Sequence, residues 1–464
     1  MKKIAILLNI LGCFLIVYFL LIYNLSYLSL ALTYFACSNL LFIFINNSQI
    51  KYTSIIYNLY GLLRLFIIPL LMSIKNDNVI DNLPFGWEYF NTGVSLICIE
   101  YFIGTLFLIF LSRYVKPKDR HGDFQLMGSK IVYIPFIIII IIISILFPEV
   151  RQTMSFLILK TDGTGRIVED TPALITLIRF FIQLALLLIF VIVSYNSYRK
   201  YRVNPSVSYI LLPALTALLN ISVIIGERRS IQLYLAFSVL IVSTKLFVKH
   251  SKQINILIII SVVTIILFMT LYKELYIFKY GSYSEALNNT SVKDIKLVDQ
   301  LQSYFYGPHN VGSIIVYLKF YSASFSIFIN EVFRNFFLIN FLVDDSGLLT
   351  SQKFNYLVYG NKQLTGHLIS SASYGYVYFG KVLFPIVIIF NILVTITFEQ
   401  LIKKTKSIEV IFISAYLFAR CAQNIFGSPI PIINFTTMTV GVYGTIIAIA
   451  FVVKKLTEGV RLND

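Results

Sequence analysis

"ALITLIRFFIQLALLLIFVIVSY" occupies residues 173–195 and contains one charged side chain, Arg179. About 20 consecutive apolar residues are enough for an α-helix to cross the hydrocarbon core of a bilayer. Comparable runs recur along the 464-residue chain, which is 58% hydrophobic and only 13% charged. No soluble core needs so much apolar surface, so the composition predicts an integral membrane protein.

The apolar runs predict an all-α fold of about 12 transmembrane helices. The N-terminal run is too long for a signal peptide and no A-x-A cleavage site follows it, so we interpret it as the first span. The chain then divides into residues 1–272 with spans 1–9, residues 273–371 as one long loop, and residues 372–464 with spans 10–12 and a tail. The predicted spans are 4–23, 25–45, 54–74, 91–112, 131–147, 173–195, 207–225, 230–247, 254–272, 372–398, 408–422 and 432–453.

Lysine and arginine residues concentrate in alternate connections, such as residues 113–130, 199–202, 245–252 and 403–406. Cytoplasmic loops carry such an excess, so both termini are predicted to be cytoplasmic and the long loop extracytoplasmic. The net charge of +16 could suggest nucleic acid, but the charges punctuate the apolar runs and form no basic domain, so no nucleic-acid partner is expected. The dense aromatic and polar alternation in the long loop predicts amphipathic helices on the outer leaflet.

The stretch "VIIGERRSIQL" (223–233) lies between two apolar runs and forms a predicted outer turn. The following helix would direct its free N–H groups outward, and together with Arg228 and Arg229 these would bind phosphate. The alternative is that both arginines reach lipid headgroups. Arg179 and Arg420, near the outer ends of their predicted spans, would complete a basic cavity with them. The alternative for charges within spans is separate structural pairs, such as Arg64 with Glu100.

Three residues are candidate general bases: Glu227 in the same turn, His309 in "YGPHN" and His367 in "LTGHLISS". For each histidine the alternative is an ordinary polar loop residue. The chain contains no D-x-D pair, P-loop, dinucleotide fingerprint or H-E-x-x-H motif. We therefore expect no cofactor and no metal.

This plan resembles the Wzy-type polymerases of O-antigen and capsular repeat units, which are related to the O-antigen ligases. "GERRS" (226–230) is similar to the family's arginine-containing turn, and "SSASYGYVYFGKVLFP" (370–385) resembles its glycine-rich stretch after the long loop. The resemblance implies metal-independent, inverting glycosyl transfer at the outer face of a bacterial cytoplasmic (inner) membrane.

The resemblance also implies the partners. Donor and acceptor would be oligosaccharides on undecaprenyl diphosphate, with membrane lipids around the protein and a chain-length regulator protein as a further candidate partner. Diphosphate binding would fall to Arg228, Arg229, Arg179 and Arg420. Two alternatives remain open: a flippase for lipid-linked oligosaccharides, and a ligase that transfers the glycan to another acceptor.

Overall fold

The computed structural model describes residues 25–45, 49–75, 87–115, 123–147, 149–150, 154–156, 173–225, 230–254, 304–343, 347–359 and 369–460, with a few isolated positions besides. The chain forms two compact units. The first unit combines residues 1–118, 296–400 and 420–437, and the second combines residues 119–295, 401–419 and 438–464.

The described elements are almost all helices, with a π-helical turn at Leu63–Ile67 and 3-10 turns at Val248–His250 and Ile339–Leu342. In chain order they are α1 (Leu25–Ile45), α2 (Lys51–Leu62), α3 (Ile68–Lys75), α4 (Trp87–Tyr114), α5 (Lys130–Leu146), β1 (Met154–Phe156), α6 (Ala173–Val203), α7 (Ser208–Ser222), β2 (Val223–Ile225), α8 (Ser230–Leu246), α9 (Pro308–Gly312), α10 (Ile314–Phe320), α11 (Phe325–Arg334), α12 (Thr350–Tyr359), α13 (Ser371–Leu383), α14 (Ile386–Lys404), α15 (Ile408–Gln423) and α16 (Pro429–Val460).

The protein is a helical, multi-pass membrane protein. Within the described residues, six helices are long and apolar enough to cross a bilayer, and the number rises to eight if each of two bent helix pairs counts as one span. The predicted spans 4–23 and 254–272 lie almost entirely outside the described residues. Helices α5 and α7 are apolar but shorter, with 17 and 15 residues. The count of about 12 spans and the orientation of the termini remain predictions.

The predicted span 372–398 is not one helix. Gly380 interrupts it with a φ of 70° and a ψ of −170°, and a turn at residues 384–385 precedes α14. A positive φ is accessible to glycine at little cost, and Pro385 lacks the N–H that a continuous helix needs. Hydropathy alone does not reveal this break, because apolar residues continue through it.

The predicted loop 273–371 contains four described helices, α9 to α12, which belong to the first unit. Short α9 packs closely on α4, where glycines face each other's backbone. A Cβ added to Gly93 would collide with the Pro308 carbonyl oxygen, and one added to Gly312 would collide with the Tyr89 carbonyl oxygen. Such close approach of two helix backbones is possible only with small residues at the contact.

In the same unit, the buried carboxylate of Glu399 on α14 holds the first turn of α2. It accepts hydrogen bonds from the backbone N–H groups of Tyr52 (3.0 Å) and Thr53 (2.9 Å) and from the Thr53 hydroxyl (2.6 Å). The first N–H groups of a helix have no partner inside the helix, so this carboxylate supplies the missing cap.

In the second unit, α6 packs against α5 and α7. Strands β1 and β2 pair antiparallel, with Met154 opposite Ile225. The buried carboxylate of Glu409, in the first turn of α15, accepts from the N–H groups of Met127 (2.8 Å) and Gly128 (3.2 Å). A residue at the start of a helix thus fixes the segment that leads into α5.

Candidate functional site

A buried ion pair joins two membrane helices of the first unit. Arg64, in the π-helical turn between α2 and α3, donates through Nη1 to Oε2 of Glu100 on α4, and the two side chains are 1% and 0% exposed. Buried ion pairs are costly unless their remaining polar atoms also have partners. Here Arg64 Nε donates to Tyr306 O at 2.7 Å, and Ser371 Oγ donates to Glu100 Oε1. This pairing is the structural alternative that the sequence left open for Arg64 and Glu100.

The surroundings of Arg64 are aromatic. Its guanidinium carbon lies 5.0 Å from the ring centroid of Phe426, and that ring lies against the stacked rings of Tyr57 and Tyr101. Its Nη2 atom is buried and makes no hydrogen bond to any residue that the structure describes. π-Helical turns inside α-helices occur frequently at functional sites. The Arg64 cluster is defined here as Arg64, Glu100, Tyr306, Ser371 and Phe426.

Phe426 reaches this cluster on the turn between α15 and α16. The turn is held by Asn391 of α14, whose Nδ2 donates to Ile425 O at 3.0 Å and to Gly427 O at 2.8 Å. The Phe426 carbonyl accepts from Ser371 N at 2.8 Å, at the beginning of α13. The turn "NIFGS" is therefore bonded directly to the stretch that begins at residue 370.

The "YGPHN" segment (306–310), which lies within the predicted loop, also reaches the cluster. Tyr306 has a φ of 54°, a strained value for a non-glycine residue that surrounding contacts must maintain. Farther along, the Val311 carbonyl accepts from Ser373 Oγ at 3.4 Å. His309 is only 6% exposed, with its ring centroid 5.0 Å from that of Phe90. It is a packed side chain in this conformation, not an open one.

Sequence reasoning missed three buried carboxylates, Glu331, Glu399 and Glu409. Glu331 of α11 accepts a hydrogen bond from Thr350 N and another from the Tyr374 hydroxyl at 2.8 Å. All three are at most 5% exposed and organise neighbouring backbone or hydroxyl groups. The available signal was an isolated acidic residue within an apolar or aromatic stretch, which usually has a partner.

Glu227, Arg228, Arg229 and His367 lie outside the described residues. Arg420 belongs to the first unit, is 9% exposed and has its guanidinium carbon 5.0 Å from the Phe435 ring centroid. Arg179 is half-buried in the second unit. The convergence of the four arginines stays a prediction.

The Arg64 cluster combines a fixed cation, a carboxylate and a hydroxyl away from water, where electrostatic interactions are stronger than at the surface. Such an arrangement is suited to holding backbone segments in one geometry or to binding a polar group within a membrane protein. No family model, curated protein or solved structure matches the chain.

Proposed function

We propose that the chain is a membrane glycosyltransferase of the Wzy type, which joins lipid-linked oligosaccharide repeat units into a longer surface polysaccharide. One observation carries the proposal: two stretches far apart in the sequence, 306–312 within the predicted loop and 370–375 at its C-terminal end, meet at the Arg64 cluster. The first contains a candidate base, and the second carries the family resemblance. A loop anchored to membrane helices at two separate points is suited to close over a substrate and exclude water.

The chemistry is a single displacement. A sugar hydroxyl of the acceptor attacks the anomeric carbon of the donor glycan, and the new C–O bond forms as the bond from that carbon to the diphosphate oxygen breaks. The diphosphate leaves with the electron pair, the hydroxyl proton passes to a base, and the anomeric configuration inverts. Arg228 and Arg229 stabilise the negative charge on the departing diphosphate, with Arg179 and Arg420 as further cationic groups.

The base comes from His309, His367 or Glu227. A base must lie within hydrogen-bond reach of the attacking hydroxyl. His309 is buried against Phe90, so its use as the base requires the segment 306–312 to open when substrate binds. In this role Arg64 and Glu100 are positioning residues without contact to the sugar: Arg64 holds the segment 306–312 through Tyr306, and Glu100 holds the stretch 370–375 through Ser371.

A flippase for lipid-linked oligosaccharides is the second candidate. The buried Arg64–Glu100 pair favours it, because ionisable residues within membrane helices often line the path of a polar substrate. A ligase would use the same donor chemistry as the polymerase and differ only in its acceptor.

Reconstitution of the purified protein with a lipid-linked single repeat unit tests these functions. A ladder of longer lipid-linked products identifies a polymerase. Unchanged length with altered sidedness identifies a flippase, and a glycan that appears only on a different added acceptor identifies a ligase. Protein-free vesicles and a well-folded Arg228→Ala, Arg229→Ala double variant are the controls. If folded wild-type protein leaves the single repeat units unchanged in length, the proposed polymerase function is refuted.

A further inference from the structure

The second unit contains a basic cavity of about 370 Å³ that the proposed transferase chemistry does not use. Its volume falls in the range of ~300–1,000 Å³ that is usual for small-molecule sites. Three segments form its walls: residues 125–127, residues 405–407 and one face of α16 near its C-terminal end. The lining includes three lysines and a single glutamate, so it is electropositive: Lys406, Lys454, Lys455 and Glu458.

Local hydrogen bonds hold the walls in place. Gln125 N donates to Lys406 O at 3.1 Å, and Ile408 N donates to Gln125 O at 3.2 Å. Glu409 ties the same segments together, since it accepts from Met127 N at 2.8 Å and from Ser407 Oγ at 2.9 Å. The cavity is therefore built into the fold and does not depend on a chance arrangement of surface side chains.

The lysines are directed by their own contacts. Lys454 Nζ donates to Leu126 O at 2.6 Å, which places its ammonium group at the wall. Lys455 is 66% exposed, with Nζ 3.9 Å from a Glu458 carboxylate oxygen and 6.0 Å from the Phe451 ring centroid. An exposed lysine–glutamate ion pair at that distance is weak. Its ammonium can turn to an incoming anion at little cost.

The position in the helix identifies the ligand class. The apolar run of α16 ends at Val453, and the cavity-lining Lys454, Lys455 and Glu458 follow it, so the cavity lies where a membrane span ends and headgroups begin. Ile449, Val452 and Leu456 on the same helix are 49%, 55% and 65% exposed, as expected of side chains that contact acyl chains. Basic pockets beside membrane helices on the cytoplasmic side bind phosphate-bearing headgroups, and the charge pattern of this chain predicts that side for residues 403–406.

From this geometry we infer that the cavity binds the phosphate of an anionic phospholipid headgroup. Lys406, Lys454 and Lys455 neutralise the phosphate, and Phe451 forms the apolar wall toward the acyl chains. A soluble phosphate would satisfy the same ammonium groups, so the shared chemistry is a phosphate oxyanion. The inference is independent of the proposed transferase function and concerns a different part of the chain.

The test is lipid binding by the purified full-length protein in neutral detergent, measured by native mass spectrometry during titration with phosphatidylglycerol or phosphatidylcholine. The wild type should prefer phosphatidylglycerol. A Lys406→Gln, Lys455→Gln variant should lose roughly fivefold in affinity per lysine. The matched control removes two exposed lysines of the same unit, Lys249→Gln and Lys252→Gln, and should bind phosphatidylglycerol nearly as well as wild type, because neither lysine lines the cavity.

A second variant, Gln125→Trp, fills the cavity and leaves every lysine in place. It should also lose phosphatidylglycerol binding, since Gln125 lines the cavity with an exposed side chain. Inorganic phosphate is the soluble arm. If millimolar phosphate displaces the lipid, the cavity binds phosphate and soluble phosphate is its ligand. If the lipid stays bound, the phospholipid headgroup is its ligand. No preference for phosphatidylglycerol, equal losses in the control variant, or full binding by Gln125→Trp would each overturn the inference.

Discussion

Removing either partner of the buried Arg64–Glu100 pair should destabilise the protein far more than removing both. The two side chains are 1% and 0% exposed, so Glu100→Gln leaves the Arg64 cation buried without a counter-charge. Such a change lowers the free energy of unfolding by about 3–5 kcal/mol. Arg64→Met should lower it by a similar amount, because it leaves the Glu100 carboxylate buried without a counter-charge. In the Arg64→Met, Glu100→Gln double variant no buried charge remains, and the amide oxygen at position 100 can still accept from Ser371 Oγ. The main remaining loss is the partner of the Tyr306 carbonyl, at about 1–3 kcal/mol.

Thermal unfolding in detergent micelles measures these differences, with a thiol-reactive dye that reports exposure of the buried Cys37 and Cys421. Large domains lose roughly 2 °C in midpoint per kcal/mol. Each single variant should therefore unfold about 6–10 °C below wild type, and the double variant about 2–6 °C below it. Glu458→Gln, which breaks an exposed ion pair, should shift the midpoint by less than about 2 °C.

Additive effects would contradict this reasoning. If the double variant unfolds about 12–20 °C below wild type, the sum of the two single losses, then the ion pair is not an interacting unit. Single variants that unfold like Glu458→Gln would instead show that the pair is open to water. Product length in the reconstituted assay adds a second readout. A stable double variant without activity would mean that polymerisation needs the two charges to position the segments that they hold.

Three further predictions concern other parts of the chain. Gly93→Ala should lower the unfolding midpoint by an amount that corresponds to about 1–3 kcal/mol, because its Cβ meets a backbone carbonyl, whereas Gly347→Ala has open space and should be neutral in the same thermal assay. Glu409→Leu should destabilise by about 1–3 kcal/mol and expose the 125–129 segment to limited proteolysis, and unchanged cleavage would refute the anchoring role. Arg228→Lys or Arg229→Lys should reduce polymerisation rate about tenfold to a hundredfold at normal membrane abundance, since lysine keeps the charge but loses about 1.5–3 kcal/mol of bidentate hydrogen bonding. Full activity of either variant would favour headgroup anchoring instead.

Apolar runs predict the membrane helices well where the helix is straight. The run 25–45 coincides with α1, and the run 173–195 lies inside α6. They fail where a local backbone feature changes the path, as at Gly380, or where helix α8 ends and the chain turns by 117° into residues 248–254. Hydropathy averages over many residues, so a break of one or two residues leaves no trace in it.

The candidate site was only partly predictable. Arg64 and Glu100 stood out as charges within spans, and their pairing was one of the open interpretations. Their connection to Tyr306 and Ser371 spans more than 240 residues of sequence, and no local pattern encodes such a contact. The π-helical turn that carries Arg64 is equally invisible, because its residues are ordinary helix formers.

The cap that Glu399 places on α2 has a consequence for biosynthesis. The carboxylate lies 346 residues after Thr53, the residue whose N–H it accepts. At a synthesis rate of about 5–20 residues per second, roughly 20–70 s pass between the emergence of the two. During that interval the first backbone N–H groups of α2 must donate to water or lipid headgroups, because Glu399 has not yet been synthesised. The earliest helices of the unit are therefore inserted long before they are completed, and their final anchoring awaits the synthesis of α14.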